Sequence, residues 1–263
     1  MKDFLEVKEG VYLPELLVDI SCNQDVNGEH RLLETIIKNS PPKSHIFDVG
    51  ARNSKFPTFS NTHTFHLFDP QFIYEPGVNY DKAIINENAL NSTTYTLDDY
   101  CKNIDTIELI KIDTDGYDIE VLKGGKETIK KTKFIQIEYD IFYLFHKQDV
   151  NDIYEILDGR QIYKITSFGL KKVNKIKEDY IYSNFLFCKE EDVINYEPYE
   201  LNLEFFQQIF WEAQPDYIKY CWENSSGMFS KYPNFNKRDF VVNYLSNYLP
   251  GFVDSLLTKD MEV

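Results

Sequence analysis

Short apolar strands alternate with amphipathic helices over most of the first 190 residues, and this pattern constrains the fold more than any other feature. The strand-like runs are HIFDVGA, THTFHLFDP, VNYDKAII, ELIKI, FIQIEYD, QIYKIT and YIYSNFLFCK. Helical periodicity occurs at about Glu29–Lys38 and Tyr117–Lys130, and in TLDDYCKNI and HKQDVNDIYEIL. Strands that alternate with helices through links of a few residues are typical of a parallel sheet covered by helices on both faces. We therefore predict an α/β, doubly wound sheet.

The pattern changes near residue 192. Before it, residues 1–40 form a lead-in with strand-like VYL and LLVDI followed by a helix, and we predict one domain over residues 1–192. After it, LNLEFFQQIFWEA, YIKYCWEN and FVVNYLSNYLPGFVDSLL are rich in aromatic residues and have helical spacing. We predict that residues 193–263 are an aromatic-rich helical C-terminal extension.

The formal net charge of the 263 residues is −15, which disfavours nucleic acid as a partner and a strongly anionic substrate. No run approaches the roughly 20 apolar residues that a membrane span needs. The beginning, MKDFLEVKEG, has charges where a signal peptide is apolar, so we expect a soluble, cytoplasmic protein. The four cysteines form no CxxC pair and are interpreted as reduced thiols. The sequence does not exclude a homo-oligomer.

Acidic residues end four of the predicted strands, namely Asp48, Asp69, Asp113 and Glu138. Aspartate is a poor strand former and is costly to bury without a partner, so its repeated occurrence at strand ends calls for an explanation. Ligands of doubly wound sheets bind outside the carboxyl ends of the strands. We therefore predict that the four acids converge on one crevice.

The first two of these strand ends are spaced as nucleoside binding requires. Gly50 and Ala51 form a turn after Asp48 at which the backbone can approach a ligand closely. Asp69, followed by Pro70, ends the next strand and can accept hydrogen bonds from both ribose hydroxyls. The turn GARNS lacks the GxGxxG pattern that seats a pyrophosphate, so a ligand such as S-adenosylmethionine fits better than NAD, although an NAD-dependent enzyme stays an alternative.

The blocks DVGA, FDP, TLDDY, LIKIDTDGYDIEVLKGG and IQIEY, in this order, resemble the FkbM-type family of S-adenosylmethionine-dependent methyltransferases. The resemblance covers about residues 44–140. It implies a class I, Rossmann-like methyltransferase fold with seven strands, the last of them antiparallel. It also implies O-methylation, often of sugar or polyketide-type hydroxyls.

When the family's functional positions are matched to this sequence, the resemblance implies a cofactor site for S-adenosylmethionine. Asp48, Gly50 and Ala51 would line its methionine part, and Asp69 with Pro70 would hold the ribose. Ile84 and Asn86 would flank the adenine, and Asp113 would lie near the methyl group. The chain departs from the family pattern at Arg52, Ser54, Asp115 and Asp118. The departures at Arg52 and Ser54 motivate an alternative, a degenerate methyltransferase fold that serves as a binding or interaction module.

Methyl transfer to a hydroxyl needs a base or a metal ion, and the candidate catalytic residues are Asp113, Glu138 and His146. Asp113 and Glu138 could hold a divalent cation such as Mg²⁺, or one of them could act as the base. The alternative is a structural role for both acids, in which Asp113 only orders its loop and Glu138 pairs with a lysine. His63 and His66 are three apart in a strand and point to opposite faces, which disfavours a shared metal. We predict an S-adenosylmethionine-dependent O-methyltransferase whose acceptor is a small molecule or glycan, with a sugar hydroxyl as the expected target.

Overall fold

The computed structural model describes residues 4–8, 11–14, 24, 27–140, 142–177 and 182–196. Near the beginning of the chain, β1 (Phe4–Lys8) and β2 (Val11–Pro14) form an antiparallel hairpin in which Phe4 lies opposite Pro14. The strand expected in LLVDI lies outside the described residues, and so does the helical extension expected over 193–263, apart from residues 193–196.

Eight strands form the main sheet of the described part of the chain, in the order β5-β4-β3-β6-β7-β10-β8-β9. They are β3 (His45–Val49), β4 (Thr64–Phe68), β5 (Ala83–Asn86), β6 (Ile107–Ile112), β7 (Thr132–Tyr139), β8 (Gln161–Thr166), β9 (Gly169–Val173) and β10 (Ser183–Cys188). The strands β5, β4, β3, β6 and β7 are parallel, and β10 lies antiparallel between β7 and β8. The predicted doubly wound sheet with an antiparallel last strand is confirmed.

The sheet has one strand more than the seven predicted. The additional strand, β9, pairs with β8 as an antiparallel hairpin at the edge, with Thr166 opposite Gly169. Its sequence, GLKKV, contains two lysines and lacks the apolar run by which the other strands were predicted. An edge strand needs less apolar side-chain burial than a central one, because only one neighbour pairs with it.

Helices cover both faces of the sheet. They are α1 (Glu29–Asn39), α2 (Leu97–Tyr100), α3 (Asp118–Lys123), α4 (Lys126–Lys130), α5 (Phe142–Phe145) and α6 (Val150–Ile156). The apolar stripe of α1 is fully buried against alternate residues of the central strands, including Ile46, Leu109 and Phe134. The residues between these, such as Phe47, Ile110 and Ile135, pack into a second core with α2, α3, α4 and α6 on the other face.

The prediction of one helix over Tyr117–Lys130 is wrong, because α3 ends at Lys123 and α4 begins at Lys126. A Cβ atom added to Gly124 would lie 2.2 Å from the carbonyl oxygen of Asn91, so the loop before α2 crosses directly over the break. The Asp98 carboxylate then accepts the backbone N–H groups of Glu127 and Thr128, at 3.1 and 2.7 Å, which caps α4. Asp98 of TLDDY is therefore structural.

In the described part of the chain, none of the helices combines the length and the apolar composition that crossing a membrane would require.

Candidate active site

Strand register brings the acidic strand ends to one edge of the sheet. Asp48 of β3 lies opposite Lys111 of β6, which lies opposite Gln136 of β7. Asp113 follows β6 directly, and Glu138 lies two residues beyond Gln136 on the same side of β7. Asp69 follows β4, and its backbone N–H donates to the carbonyl oxygen of Asn86 at 3.0 Å. Strand order reverses between β3 and β6, where ligands of such sheets bind.

The turn after β3 can form only with glycine at position 50. Gly50 has a φ of 89°, and an added Cβ atom would lie 1.6 Å from the carbonyl oxygen of Asp113. The backbone N–H groups of Gly50 and Ala51 both donate to the carbonyl oxygen of Phe68, at 2.8 and 3.0 Å. The N–H of Asp113 donates to the carbonyl oxygen of Val49 at 2.8 Å. The turn therefore locks the ends of β3, β4 and β6 together.

Asp69 is half-buried at the end of β4, and its carboxylate oxygens accept the backbone N–H groups of Arg52 and Gln71, at 3.0 and 2.6 Å. A carboxylate has about four lone-pair sites, so the side chain keeps capacity for further donors. Pro70 is exposed beside it. On the neighbouring edge strand, Ile84 is 47% exposed and the amide nitrogen of Asn86 lies 3.5 Å from the hydroxyl oxygen of Tyr100.

A buried lysine lies at the centre of the acidic edge, which the motif reasoning missed. The Nζ atom of Lys111 lies 2.6 Å from an Asp113 oxygen, 3.6 Å from a Glu29 oxygen and 3.8 Å from an Asp48 oxygen. Burial alone would lower the pKa of Lys111, but the surrounding carboxylates raise this pKa well above its usual value. A lysine inside the apolar run LIKI was the available signal for this residue. Glu29, the first residue of α1, gave none.

Burial raises the pKa values of several acids around Asp113. The pKa of Asp118, which is 1% exposed, rises to about 8, first because of burial and then because of the charge of Asp113. Burial likewise raises the pKa of Asp140 to about 7, and the pKa of Glu138 well above its usual value. Asp118 and Asp140 are therefore at least partly protonated near neutral pH.

His146 follows α5 and lies beside the loop after β6. Its ring centroid is 4.3 Å from that of Tyr117, whose side chain is 52% exposed. Burial lowers the pKa of His146, although the charge of Asp115 opposes this effect, so the imidazole is neutral at neutral pH. Asp115 itself has a φ of 52°, a left-handed conformation that aspartate tolerates better than most residues do. This part of the edge combines an exposed aromatic ring, a neutral imidazole and carboxylates.

The residues expected to hold a divalent cation do not fit one in the described part of the chain. No group of three or more His, Cys, Asp or Glu side chains there has the arrangement of a metal site. The ammonium group of Lys111 already pairs with Asp113. His63 and His66 have different partners: His63 lies 2.6 Å from the Ser60 hydroxyl, and the ring nitrogens of His66 lie 2.9 Å from His45 and 2.8 Å from the Tyr100 hydroxyl.

Comparison with known proteins gives a family and several relatives. The family model of the methyltransferase FkbM domain matches residues 19–165. The 2-O-methyltransferase NoeI of Sinorhizobium fredii (strain NBRC 101917 / NGR234) is 38% identical over 64 residues, which span 24% of this chain and 26% of that relative.

Two solved methyltransferases are similar at low identity. The N-methyltransferase NodS of Bradyrhizobium japonicum WM9 matches with a TM-score of 0.37 and 7% identity, over 64% of this chain and 93% of that one. The precorrin-6y C5,15-methyltransferase of Geobacter metallireducens GS-15 matches with a TM-score of 0.37 and 10% identity, over 65% and 91%.

The strand order, with β10 antiparallel between β7 and β8, is that of a class I methyltransferase, and the acids lie at the edge where such a sheet binds its ligand. The matched family model spans more than half of the sequence. The chain belongs to the FkbM methyltransferase domain family.

Proposed function

We propose that the chain transfers the methyl group of S-adenosylmethionine to a hydroxyl oxygen of a sugar or glycan. The observation that carries this proposal is that Asp69 and Asp113 converge on the Gly50 turn, with Glu138 on the neighbouring strand β7, at the point where strand order reverses. Membership of a methyltransferase family supports the choice of cofactor.

The cofactor would lie along the edge from β6 to β5. Asp69 holds the ribose hydroxyls, because its carboxylate is half-exposed and keeps acceptor capacity. The backbone of Gly50 and Ala51 faces the methionine part, and Ile84 with Asn86 flanks the adenine. Asp48 is only 3% exposed and faces Lys111, so it supports the site from beneath rather than touching the cofactor.

Ser54, which stands where the family pattern has glycine, does not distort the turn. The described residues other than glycine with a positive φ are Lys43, Asp115 and Lys147, so position 54 needs no glycine conformation. Ser54 is 8% exposed, and its hydroxyl oxygen accepts the N–H of Phe56 at 3.3 Å. Little of its side chain is therefore available to obstruct a ligand.

S-adenosylmethionine supplies an activated methyl group, and the protein must align the acceptor and take up its proton. Among the three catalytic candidates, His146 is best suited as the base because its imidazole is neutral at neutral pH and only partly buried. Burial raises the pKa of Glu138, which disfavours its ionised form and makes it less suited as the base. Asp113 is paired with the Lys111 ammonium, and we assign it to alignment rather than to proton transfer. We propose no step through a divalent cation.

A neutral sugar suits the acceptor side of the edge. The exposed ring of Tyr117 offers a flat face to a sugar, and nearby carboxylates can accept hydrogen bonds from its hydroxyls. The net charge of −15 disfavours anionic acceptors. The partial match to a protein named a 2-O-methyltransferase supports oxygen as the methylated atom.

Calorimetric titration of the protein tests the cofactor assignment. We expect saturable binding of S-adenosylmethionine and S-adenosylhomocysteine, and none of NAD. Labelled methyl transfer to a panel of neutral methyl glycosides and uronic acids then tests the acceptor class. No binding heat at high micromolar cofactor would contradict the proposal, and transfer confined to the uronic acids would contradict the neutral acceptor.

A further inference from the structure

One buried ammonium group faces three carboxylates beneath the acidic edge, and we call Lys111, Glu29, Asp48 and Asp113 the lysine cluster. Lys111, Glu29 and Asp48 are at most 3% exposed. Removal of such charges from water costs several kcal/mol per ion, so a buried arrangement of this kind persists only when its geometry is well determined. Burial raises the pKa values of Glu29 and Asp48, and the Lys111 ammonium opposes this effect in both.

The inner part of the lysine cluster is anchored by two other elements. One Glu29 oxygen accepts the side-chain N–H of Asn184 in β10 at 3.2 Å, and the Asn184 oxygen accepts that of Gln136 in β7 at 2.9 Å. The remaining Glu29 oxygen and one Asp48 oxygen are fully buried and have no hydrogen-bond partner. These two oxygens instead lie 3.6 and 3.8 Å from the ammonium group of Lys111.

Asp113 is the member of the lysine cluster that reaches the site. Its side chain is 19% exposed, whereas those of Lys111, Glu29 and Asp48 are at most 4% exposed. The contact between Lys111 and Asp113, at 2.6 Å, is also the shortest in the cluster. Contact between the lysine cluster and a bound cofactor therefore runs through the Asp113 carboxylate.

We propose that Lys111, anchored by Glu29 and Asp48, is a positioning residue that holds the Asp113 carboxylate in one orientation toward the sulfonium group of S-adenosylmethionine. The assignment rests on the proposed function, since it needs that cofactor. A lysine that only balanced charge would act differently: its removal would make the site more negative and would strengthen binding of the cationic cofactor.

A double-mutant cycle between Lys111→Met and Asp113→Asn tests the positioning role. We expect each variant to weaken binding of S-adenosylmethionine about tenfold, with S-adenosylhomocysteine, which lacks the sulfonium charge, much less affected. The double variant should bind no more weakly than Asp113→Asn alone, because Lys111 acts through Asp113. Additive losses, or unchanged binding in Lys111→Met, would overturn the assignment. Lys123→Met is the matched control, since it removes a half-exposed lysine that pairs with Asp152 at 2.8 Å.

Urea unfolding of the same variants adds a measurement that needs no cofactor. Asp113→Asn should lower the unfolding midpoint in the wild-type background and raise it in Lys111→Met, where the acid has lost its counter-charge. The same shift in both backgrounds would contradict the cluster itself. If Lys111→Met does not fold, Glu29→Gln/Lys111→Met removes one charge of each sign and takes its place in both comparisons. Wild-type protein that binds no cofactor would end the proposed function, whereas an additive cycle in a protein that binds it would end only this assignment.

Discussion

At the scale of single residues, Asp69 both braces the cofactor edge and is expected to bind the cofactor. Its carboxylate holds the N–H groups of Arg52 and Gln71, which fixes the side chain before any ligand arrives. We expect Asp69→Ala to weaken binding of S-adenosylhomocysteine by about 1–3 kcal/mol, through loss of hydrogen bonds to an ionised acceptor. Calorimetry measures this, with Asp81→Ala as a control on the exposed loop that follows. Equal affinity in the two variants would mean that the ribose lies elsewhere.

The proposed mechanism requires the His146 imidazole to be neutral when the methyl group is transferred. As the base it must be neutral, so the transfer rate of the wild-type protein should rise with pH through the lowered pKa of His146 and then level off. We expect His146→Asn to lower this rate roughly a hundredfold, to abolish the rising limb, and to leave S-adenosylhomocysteine affinity unchanged. A rate profile identical in shape to that of the wild type would remove His146 from the mechanism.

The acidic strand ends could be predicted from the sequence, but the buried residues beneath them could not. Asp48, Asp69, Asp113 and Glu138 were predictable because strand ends in a parallel sheet meet at one edge. The roles of Glu29 and Lys111 could not be predicted. They depend on the packing of helix α1 against strand β6, and these two elements are far apart in the sequence. Burial, which raises the pKa values of Glu138 and Asp118, is likewise a property of the packed structure.

At the scale of elements, the turn after β3 is the piece on which the site geometry depends. Gly50→Ala would place a Cβ atom 1.6 Å from the Asp113 carbonyl oxygen, in addition to requiring a left-handed backbone. We expect it to lower the free energy of unfolding by about 3–5 kcal/mol. Gly77→Ala is the matched control, since Gly77 also has a positive φ but no atom within 4 Å of the added Cβ, and it should cost about 1–2 kcal/mol. Chemical denaturation of both variants measures the difference, and similar losses would contradict the steric explanation.

The strands and helices that could be predicted from the sequence are those whose apolar residues recur at the spacing that their packing in the fold requires. Strands β3 to β8 and β10 were predictable from apolar runs, whereas the lysine-containing β9 was not. The break between α3 and α4 depends on the backbone of Asn91 crossing Gly124, a contact that no local pattern reveals. The short helix α5 was not predicted either, because its sequence FYLF is apolar throughout and has no polar face to mark a helix.

At the scale of the whole molecule, the buried acids make stability depend on pH. The pKa of Asp118 is about 8 in the folded protein, so this side chain keeps a proton that the unfolded chain releases above about pH 4. Stability is therefore lost as the pH rises from about 4 to about 8, and the loss is complete above the folded pKa. Asp118→Asn keeps an acceptor for the N–H of Thr114 but removes this dependence.

We expect Asp118→Asn to be more stable than the wild type by on the order of 2–4 kcal/mol at pH 7, with the difference shrinking toward pH 4. Urea unfolding at pH 5, 6, 7 and 8 measures it, and the exposed Asp105→Asn serves as the control. Stability curves of Asp118→Asn and wild type that run parallel over this range would show that Asp118 carries no linked proton.

The reversed direction of β10 places the end of this strand far from the acidic edge of the sheet. Because Ser183 lies opposite Tyr139 and Phe187 lies opposite Ile135, the chain leaves β10 at the edge where the parallel strands begin. Six residues of extended strand put this exit about 20 Å from the acidic edge. A fluorophore or surface tether attached at the exposed Lys189 would therefore lie on the side of the sheet opposite the acidic edge.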